Sequence, residues 1–425
     1  MGMTRRQFLG TSGAAVLAAG TVAGGRVAGA NERIRIASVG VGGRGWAHVK
    51  AALASGQADV VALCDIDAQI LANRAAELEK ISGHKPKTYR DVRELVTDDA
   101  IDAVTFATPN HWHVLGAIWA MQHGKDVYLE KPISHTVFEG RQLAAAVKKY
   151  GRVLQHGTQR RSEPAYQHMV ERARSGIIGD IYMARCPIFR FREAFNFPAA
   201  ESPPENIDWT LWQGPAPERP FSRNFVHYNW HWFWHYGNGE IGNNGPHATD
   251  LANWIIDKGM PVKTSSQGGI FGYKDDVRET PNTQIVTHTF ADGTLMVIDV
   301  RNRYTNSEGG NLLLFGTQGR MAGGKFYDTN NKEIPDEKPP GGVDSTLAHM
   351  ANFLQAVKNA DPKAVNATAE QGHIAASLCH LGNVSFLVGR SIEFDPKTEQ
   401  VVGDDEANAL LTRTYREGFE VPKLA

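Results

Sequence analysis

Three groups of residues have types and spacings that chemistry can use. The first is G-x-G-x-x-G, present as Gly40, Gly42 and Gly45 in GVGGRG, with Asp65 twenty residues beyond the third glycine. The first glycine of such a pattern makes a tight turn, the second lets backbone approach a pyrophosphate, and the third lets helix pack on strand. A helix N-terminus turns free N–H groups toward that negative charge. A carboxylate after the next strand accepts from adenosine ribose hydroxyls. Gly43 and Arg44 lie in the same loop, and Arg44 and Arg74 are candidate phosphate partners. Asp65 would repel a 2′-phosphate, so the pattern predicts NAD in preference to NADP.

The second group lies in two turns, Thr108-Pro109-Asn110-His111-Trp112-His113 and Glu130-Lys131-Pro132, each following a short apolar run. Ligands of open α/β sheets sit beyond the carboxyl ends of strands, so both turns are predicted to face the cofactor. Thr108, Pro109, Asn110, His113, Glu130 and Lys131 are therefore candidate cofactor contacts. Taken alone, Lys131 reads as a solvated surface charge. The third group is aromatic. Residues 209–254 hold six of the nine tryptophans, densest around Tyr228 in FVHYNWHWFWHY. Aromatic faces stack on the C–H faces of sugars while polar edges read hydroxyls; a buried anchor or subunit contact uses the same composition. Alternation of Trp230, Trp232 and Trp234 predicts an extended segment. His227, His231 and His235 have the spacing of helical metal ligands, but the alternation and the lack of a carboxylate argue against a metal.

These groups need elements to position them. Ile34 to Val41 and Asp59 to Cys64 read as strands around a helix that starts near Trp46, the beginning of a Rossmann domain. Further on, Ile181–Arg192, Gln284–Phe290, Thr294–Arg301 and Asn311–Phe315 read as strands, with an Asp292-Gly293 hairpin turn. Helices are predicted over Ser345–Lys358 and Ala367 to about Val388. A length of 425 residues predicts more than one domain. The division is 1–30 as an export signal, 31–155 as the NAD-binding domain and 156–425 as a substrate and oligomerisation domain.

The order GVGGRG, Asp65, TPNHWH and EKP, followed by GEIGNNGPHATD, resembles the Gfo/Idh/MocA oxidoreductase family. The chain's end, HLGNVSFLVGRSIEFDP and NALLTRTYREGF, is similar to its exported members. Those members include glucose–fructose oxidoreductase-like proteins and NAD-dependent glycosidases. The resemblance implies an α/β protein: a Rossmann domain, then an α/β domain with an open, largely antiparallel sheet. It implies that Lys131 hydrogen-bonds the reacting sugar hydroxyl and that His247 is its base. Asn243 stands where many members have aspartate, which leaves more of the proton transfer to His247. Thr158-Gln159-Arg160-Arg161 resembles a stretch touching nicotinamide and substrate, making Gln159 a cofactor candidate and Arg161 a substrate candidate. Tyr228, Asn243 and Asp250 complete the substrate side, and Asp250 would either hold the imidazole tautomer or cap the structure. A homo-oligomer through the second domain's open sheet is also implied.

Thr4-Arg5-Arg6-Gln7-Phe8-Leu9, an apolar Gly/Ala-rich run and Ala28-Gly29-Ala30 resemble a twin-arginine signal with its cleavage site. This predicts a periplasmic or exported protein with no stable membrane insertion after cleavage. Loss of residues 1–30 removes Arg5, Arg6 and Arg26, leaving 42 basic against 46 acidic side chains. That balance argues against nucleic acid as a partner. Cys64, Cys186 and Cys379 are scattered and read as buried free thiols. A dinucleotide enzyme outside the cytoplasm must carry its cofactor with it and regenerate it in place. The expected activity is oxidation of a sugar, glycoside or cyclitol hydroxyl by a tightly retained NAD. The alternatives are a redox-neutral glycosidase that transiently oxidises C3, and a non-catalytic sugar-binding protein.

Overall fold

The computed structural model describes residues 33–303, 312–337 and 339–425; the twin-arginine motif lies outside them. Six parallel strands form the first sheet: β1 (Ile34–Val39), β2 (Ala58–Cys64), β3 (Lys87–Tyr89), β4 (Ala103–Phe106), β5 (Asp126–Leu129) and β6 (Leu154–His156). Their order is β3-β2-β1-β4-β5-β6, so the direction in which strands are added to the sheet switches between β1 and β4. Both faces are covered by helices, which is why β4 is buried at every position and β1 at all but Arg35, without the alternation of a half-exposed strand. The Ala68–Ser82 helix starts on the Asp67 carboxylate, which accepts from the amides of Gln69 and Ile70.

Nine strands form the second sheet: β7 (Ile181–Phe189), β8 (Lys263–Gly269), β9 (Thr283–Thr289), β10 (Leu295–Arg301), β11 (Leu313–Gly316), β12 (Gly319–Ala322), β13 (Lys325–Asp328), β14 (Ile392–Asp395) and β15 (Gln400–Val401). Only β7 and β10 pair in parallel; the other pairs are antiparallel. One face is buried under the Gly239–Ile256 and Ala369–Leu387 helices, with Ala184, Cys186, Ile188, Val286, Met296 and Ile298 in that layer. The fold is the expected α/β arrangement of a Rossmann domain and an open, mostly antiparallel sheet.

The two halves are interleaved. Met350, Phe353 and Leu354, on the Ser345–Lys358 helix, bury against Val49, Ala52 and Tyr128 of the first sheet's layer. On its other face, Ala369, Ala376, Phe419 and Val421 join Leu115, Ile118 and Leu143. The Rossmann core is thus closed by residues from the last fifth of the chain.

The alternating tryptophans do not form a strand. Asn229–Trp232 is a 3₁₀ turn, and Trp212, Phe225, Trp230, Phe233 and Tyr236 gather into a small core of their own. Ring-on-ring packing here outweighs the extended pattern. All three cysteines are free and buried. No described helix is long and apolar enough to cross a membrane.

Candidate active site

The glycine loop is built by close approach. Gly40 has φ +76° and lies against β4; a Cβ there would stand 2.8 Å from the Ala107 carbonyl oxygen. A Cβ on Gly45 would fall 1.9 Å from the Gly40 oxygen, so only glycine lets the Arg44–Ala54 helix start here. Gly42 and Gly43, by contrast, have nothing within 4 Å of a Cβ. Their open side, at a helix N-terminus, is the shape a pyrophosphate fits. Asp65 closes the far side, accepting from the amides of Val41 (2.9 Å) and Asp67 (3.1 Å). Burial pushes its carboxyl above the usual range, against those two hydrogen bonds. A cavity of ≈ 460 Å³ joins Gly40, Gly42, Gly43, Arg44 and Asp65 to Thr108, Pro109, Asn110, Glu130, Lys131, Tyr228 and Asn243. The expected cofactor loop, Lys131, Tyr228 and Asn243 therefore share one space, whereas His247, Arg161 and Asp250 are not among its lining residues; the residues present fit NAD.

Lys131 and Glu130 form the inner end. The Glu130 carboxylate accepts from Arg44 Nε (2.6 Å), Gln159 Nε2 (3.1 Å) and the Lys131 amide (3.1 Å), and meets His48 Nε2 at 3.0 Å. Against the cost of burial, Arg44 and His48 hold its pKa well below the ordinary value. The Lys131–Pro132 bond is cis. Lys131 Nζ donates to the Asn243 carbonyl (2.8 Å) and to Asn243 Oδ1 (3.2 Å). Burial lowers its pKa; Glu130 and Glu240 oppose the shift, while Arg44 and Arg192 add to it. His247 lies one helical turn beyond Asn243. Its Nδ1 is buried without a hydrogen-bond partner. Burial, with the charges of Lys131 and Arg160, pushes its pKa well below the ordinary value, so the ring is neutral.

The family model described as the oxidoreductase family's NAD-binding Rossmann fold matches residues 34–158, and its C-terminal alpha/beta domain matches 192–421. The chain belongs to the Gfo/Idh/MocA oxidoreductase family. Its first domain is an NAD-binding Rossmann domain. The rhizopine catabolism protein MocA of Rhizobium meliloti is 24% identical over 79% of this chain and 90% of its own length. A glycosyl hydrolase family 109 protein of a Shewanella species is 31% identical, over 35% of this chain and 34% of its own. The WlbA dehydrogenase of Bordetella pertussis, solved with NADH and UDP-GlcNAcA, has the same fold: TM-score 0.65, 20% identity, covering 86% of this chain and 99% of that one.

Within this Gfo/Idh/MocA site several predicted contacts sit one layer back. His113 ties the two turns together, its Nδ1 lying 2.6 Å from the Pro132 carbonyl and its Nε2 2.9 Å from that of Thr108. Gln159 stands behind Glu130, reaching also to the Tyr128 hydroxyl at 3.3 Å. Arg74, the other candidate phosphate partner, does not line the cavity: it donates to the Val41 and Gly42 carbonyls and braces the loop. Neither Arg161 nor Asp250 lines the cavity. Arg161 Nε sits 2.8 and 2.9 Å from the two Asp250 oxygens, both side chains are at most 6% exposed, and the guanidinium covers Trp254. Asp250 is therefore committed to Arg161 and does not orient His247. We expect Asp250→Ala to lose about 3–5 kcal/mol of stability, because a lone buried guanidinium remains. Chemical denaturation measures this, and unchanged NAD affinity in the folded variant would separate packing from binding.

Residues 193–238 pass from the second domain back across the first. Ile207 bridges Asp67, Ala68 N–H donates to the Asn206 carbonyl (2.9 Å), and Asp208 N–H donates to that of Ile66 (3.3 Å). Arg90 donates to the carbonyls of Ile66 (2.7 Å) and Asn206 (3.2 Å), and His227 Nε2 meets Asp67 at 3.2 Å. The segment then lines the cavity through Trp212, His227, Tyr228, Trp230 and His231. The three spaced histidines diverge: His227 to Asp67, His231 onto Trp230 at 3.6 Å, and His235 to Arg219. Sequence reading placed Trp230 and His231 in the aromatic stretch without singling them out as site residues, and missed the Arg192–Glu240 pair, whose guanidinium lies near the faces of Tyr228 and Trp232. Only the aromatic density pointed toward them.

Proposed function

We propose that the chain oxidises a hydroxyl of a sugar, glycoside or cyclitol, using an NAD that stays bound between turnovers. The observation that carries this is Lys131, a half-buried ammonium held by Asn243 in the cavity that begins at the glycine loop. Bound NAD supplies the hydride acceptor. Lys131 donates a hydrogen bond to the hydroxyl oxygen, where negative charge grows as the C–H bond breaks. His247, neutral and four residues from Asn243, takes the hydroxyl proton. Tyr228 and Asn243 orient the remaining hydroxyls, and the aromatic wall receives the sugar's apolar face. Asp65, already occupied by two amides, disfavours a 2′-phosphate.

The crossing of residues 193–238 over the adenosine side supports cofactor retention. Removing its ties in a His227→Ala, Arg90→Ala variant is expected to speed NAD loss about tenfold, the effect of some 1.4 kcal/mol. Stopped-flow displacement by a fluorescent analogue measures this. Retention suits a protein exported after folding, the route that residues 4–30 resemble. The open face of the second sheet carries Met183, Phe189, Ile285 and Phe315, the last three on separate strands, and supports a homo-oligomer through that face. Light scattering that finds only monomer would remove this reading.

A second reading, the redox-neutral glycosidase, draws support from the partial likeness to the glycosyl hydrolase family 109 protein. One experiment separates the readings: mature protein, purified without added nucleotide, is mixed with sugars and glycosides while nicotinamide absorbance and free sugar are followed. One round of NADH that stalls until a carbonyl acceptor is added identifies an oxidoreductase. Many sugar releases without net reduction identify a glycosidase, and binding without either identifies a sugar-binding protein.

A further inference from the structure

We propose that the carbohydrate taken by this site carries a carboxylate, and that Arg160 is the cation that selects it. This deepens the reading of the site as one that oxidises a sugar hydroxyl, and rests on it. The ground is how charges are paired around the inner end of the cavity. Three carboxylates stand there, and each already has an arginine: Glu130 has Arg44 (2.6 Å), Glu240 has Arg192 (2.9 Å) and Asp250 has Arg161 (2.8 Å). Two further cations have no such partner. Lys131 Nζ donates to the two oxygens of Asn243, a neutral side chain and its backbone. The Arg160 guanidinium lies over the Tyr166 ring at 5.2 Å. Among the described residues neither is in an ion pair. These charges converge on one region. Lys131 and Arg160 both act on His247, and Lys131 and Arg192 both act on His231. Burial keeps both imidazoles neutral, so they add no charge of either sign. Separate elements deliver the cations: Lys131 follows β5, Arg160 sits in the Gln159–Ser162 turn and Arg192 lies just past β7. The Arg192 guanidinium is 5.6 Å from the centre of the Tyr228 ring, which is cavity wall.

A half-buried cation without a counterion is costly, and a ligand that brings the missing anion offsets that cost. Between low-dielectric walls the field of such charges is focused on whatever enters. Lys131 is matched during reaction by the negative charge that grows on the hydroxyl oxygen. Arg160 is left for a standing charge. Arg44, Arg161 and Arg192 spend their forks on Glu130, Asp250 and Glu240, whereas the Arg160 fork holds no protein carboxylate. A substrate carboxylate brings one negative charge and two oxygens that suit a planar fork, where a phosphate brings nearly two charges. The class is therefore a sugar acid, such as a uronate, free or within a glycoside.

The test is binding to the holoenzyme, read by tryptophan fluorescence and calorimetry, with matched pairs: glucuronate against glucose, galacturonate against galactose, and the corresponding sugar phosphates. A uronate is expected to bind about tenfold tighter, or more, than its neutral partner at low salt, and the gap should narrow as ionic strength rises. Arg160→Gln should lose at least about fivefold of uronate affinity while the neutral sugar stays within about twofold. Arg160→Lys, which keeps the charge, should keep the preference. Neither variant strands a protein carboxylate, so both are expected to fold. Equal affinity for uronate and neutral sugar, no uronate binding, tighter binding of the phosphates, or a preference intact in Arg160→Gln overturns the proposal. Nicotinamide absorbance is followed in the same samples. NADH from neutral sugars alone overturns the proposal and keeps the oxidoreductase reading, whereas selective uronate binding with no NADH from any sugar overturns that reading instead.

Discussion

Lys131→Met is expected to reduce substrate oxidation by about 10³-fold or more while NAD remains bound, the scale seen when a preorganised donor to a developing oxyanion is removed. Methionine nearly matches the lysine stem in volume, so the cavity wall persists. The Glu130 carboxylate keeps Arg44, His48, Gln159 and the residue-131 amide as partners, so no acid is stranded. The Asn243 carbonyl and Oδ1 lose their donor but face a cavity that water enters. Removing a cation whose pKa burial has already lowered relieves desolvation, so stability should not fall by more than about 1 kcal/mol. Lys131→Arg should fail almost as badly, because a planar fork cannot reproduce the ammonium's two contacts with Asn243. The pH profile gives an independent check. The ammonium must stay protonated to donate, so activity should fall on the alkaline side with a midpoint below the ordinary lysine value of 10.5. His247 works neutral and its pKa is pushed well down, so no acid limb should appear near 6.5. Single-turnover nicotinamide absorbance measures both. A fall centred on pH 6.5, or near-normal turnover in Lys131→Met, would sink the assignment.

Gly45→Ala is expected to damage the NAD cradle more than any other single-methyl change. The added carbon would lie 1.9 Å from the Gly40 oxygen and 2.9 Å from its carbonyl carbon, both backbone atoms. No rotamer relieves a backbone clash, so the Arg44–Ala54 helix must retreat from β1. Overpacking of this kind costs about 1–3 kcal/mol or more, and NAD affinity should drop by at least 10²-fold because the loop amides shift with the helix. Gly42→Ala is the control. Its Cβ meets no protein atom within 4 Å, so the melting temperature of the apoprotein should hold and any loss appears only in NAD binding. Calorimetric titration and thermal melting of both variants separate the two. Equal NAD affinity in Gly45→Ala and wild type would overturn this account.

The glycine loop, Asp65 and the strand-end turns were legible because their chemistry is local: each depends on one turn beside one strand. The Ser345–Lys358 helix was legible end to end for the same reason, with Asp344 capping its start. What sequence could not show is partnership across distance. Arg161 and Asp250 are 89 residues apart and look like solvated charges until the fold buries them together. His113 and Gln159 carry the right chemistry at the right strand ends, yet stand one side chain behind the cavity. The tryptophan alternation misled because five aromatic rings had each other as neighbours, a tertiary fact that a period of two does not encode.

The interleaving of the two halves sets an order on biosynthesis. A ribosome delivers β1 to β6 well before the residues that close their core, Met350 to Leu354 and Phe419 to Val421. Even the loop's Arg44 is steadied by Thr346, whose hydroxyl its Nη1 meets at 3.2 Å. The core behind the cradle therefore closes only after the last fifth of the chain is made, although the cradle's own motif is translated first. A nascent or prematurely stopped chain has the motif but leaves part of the core behind it open to water.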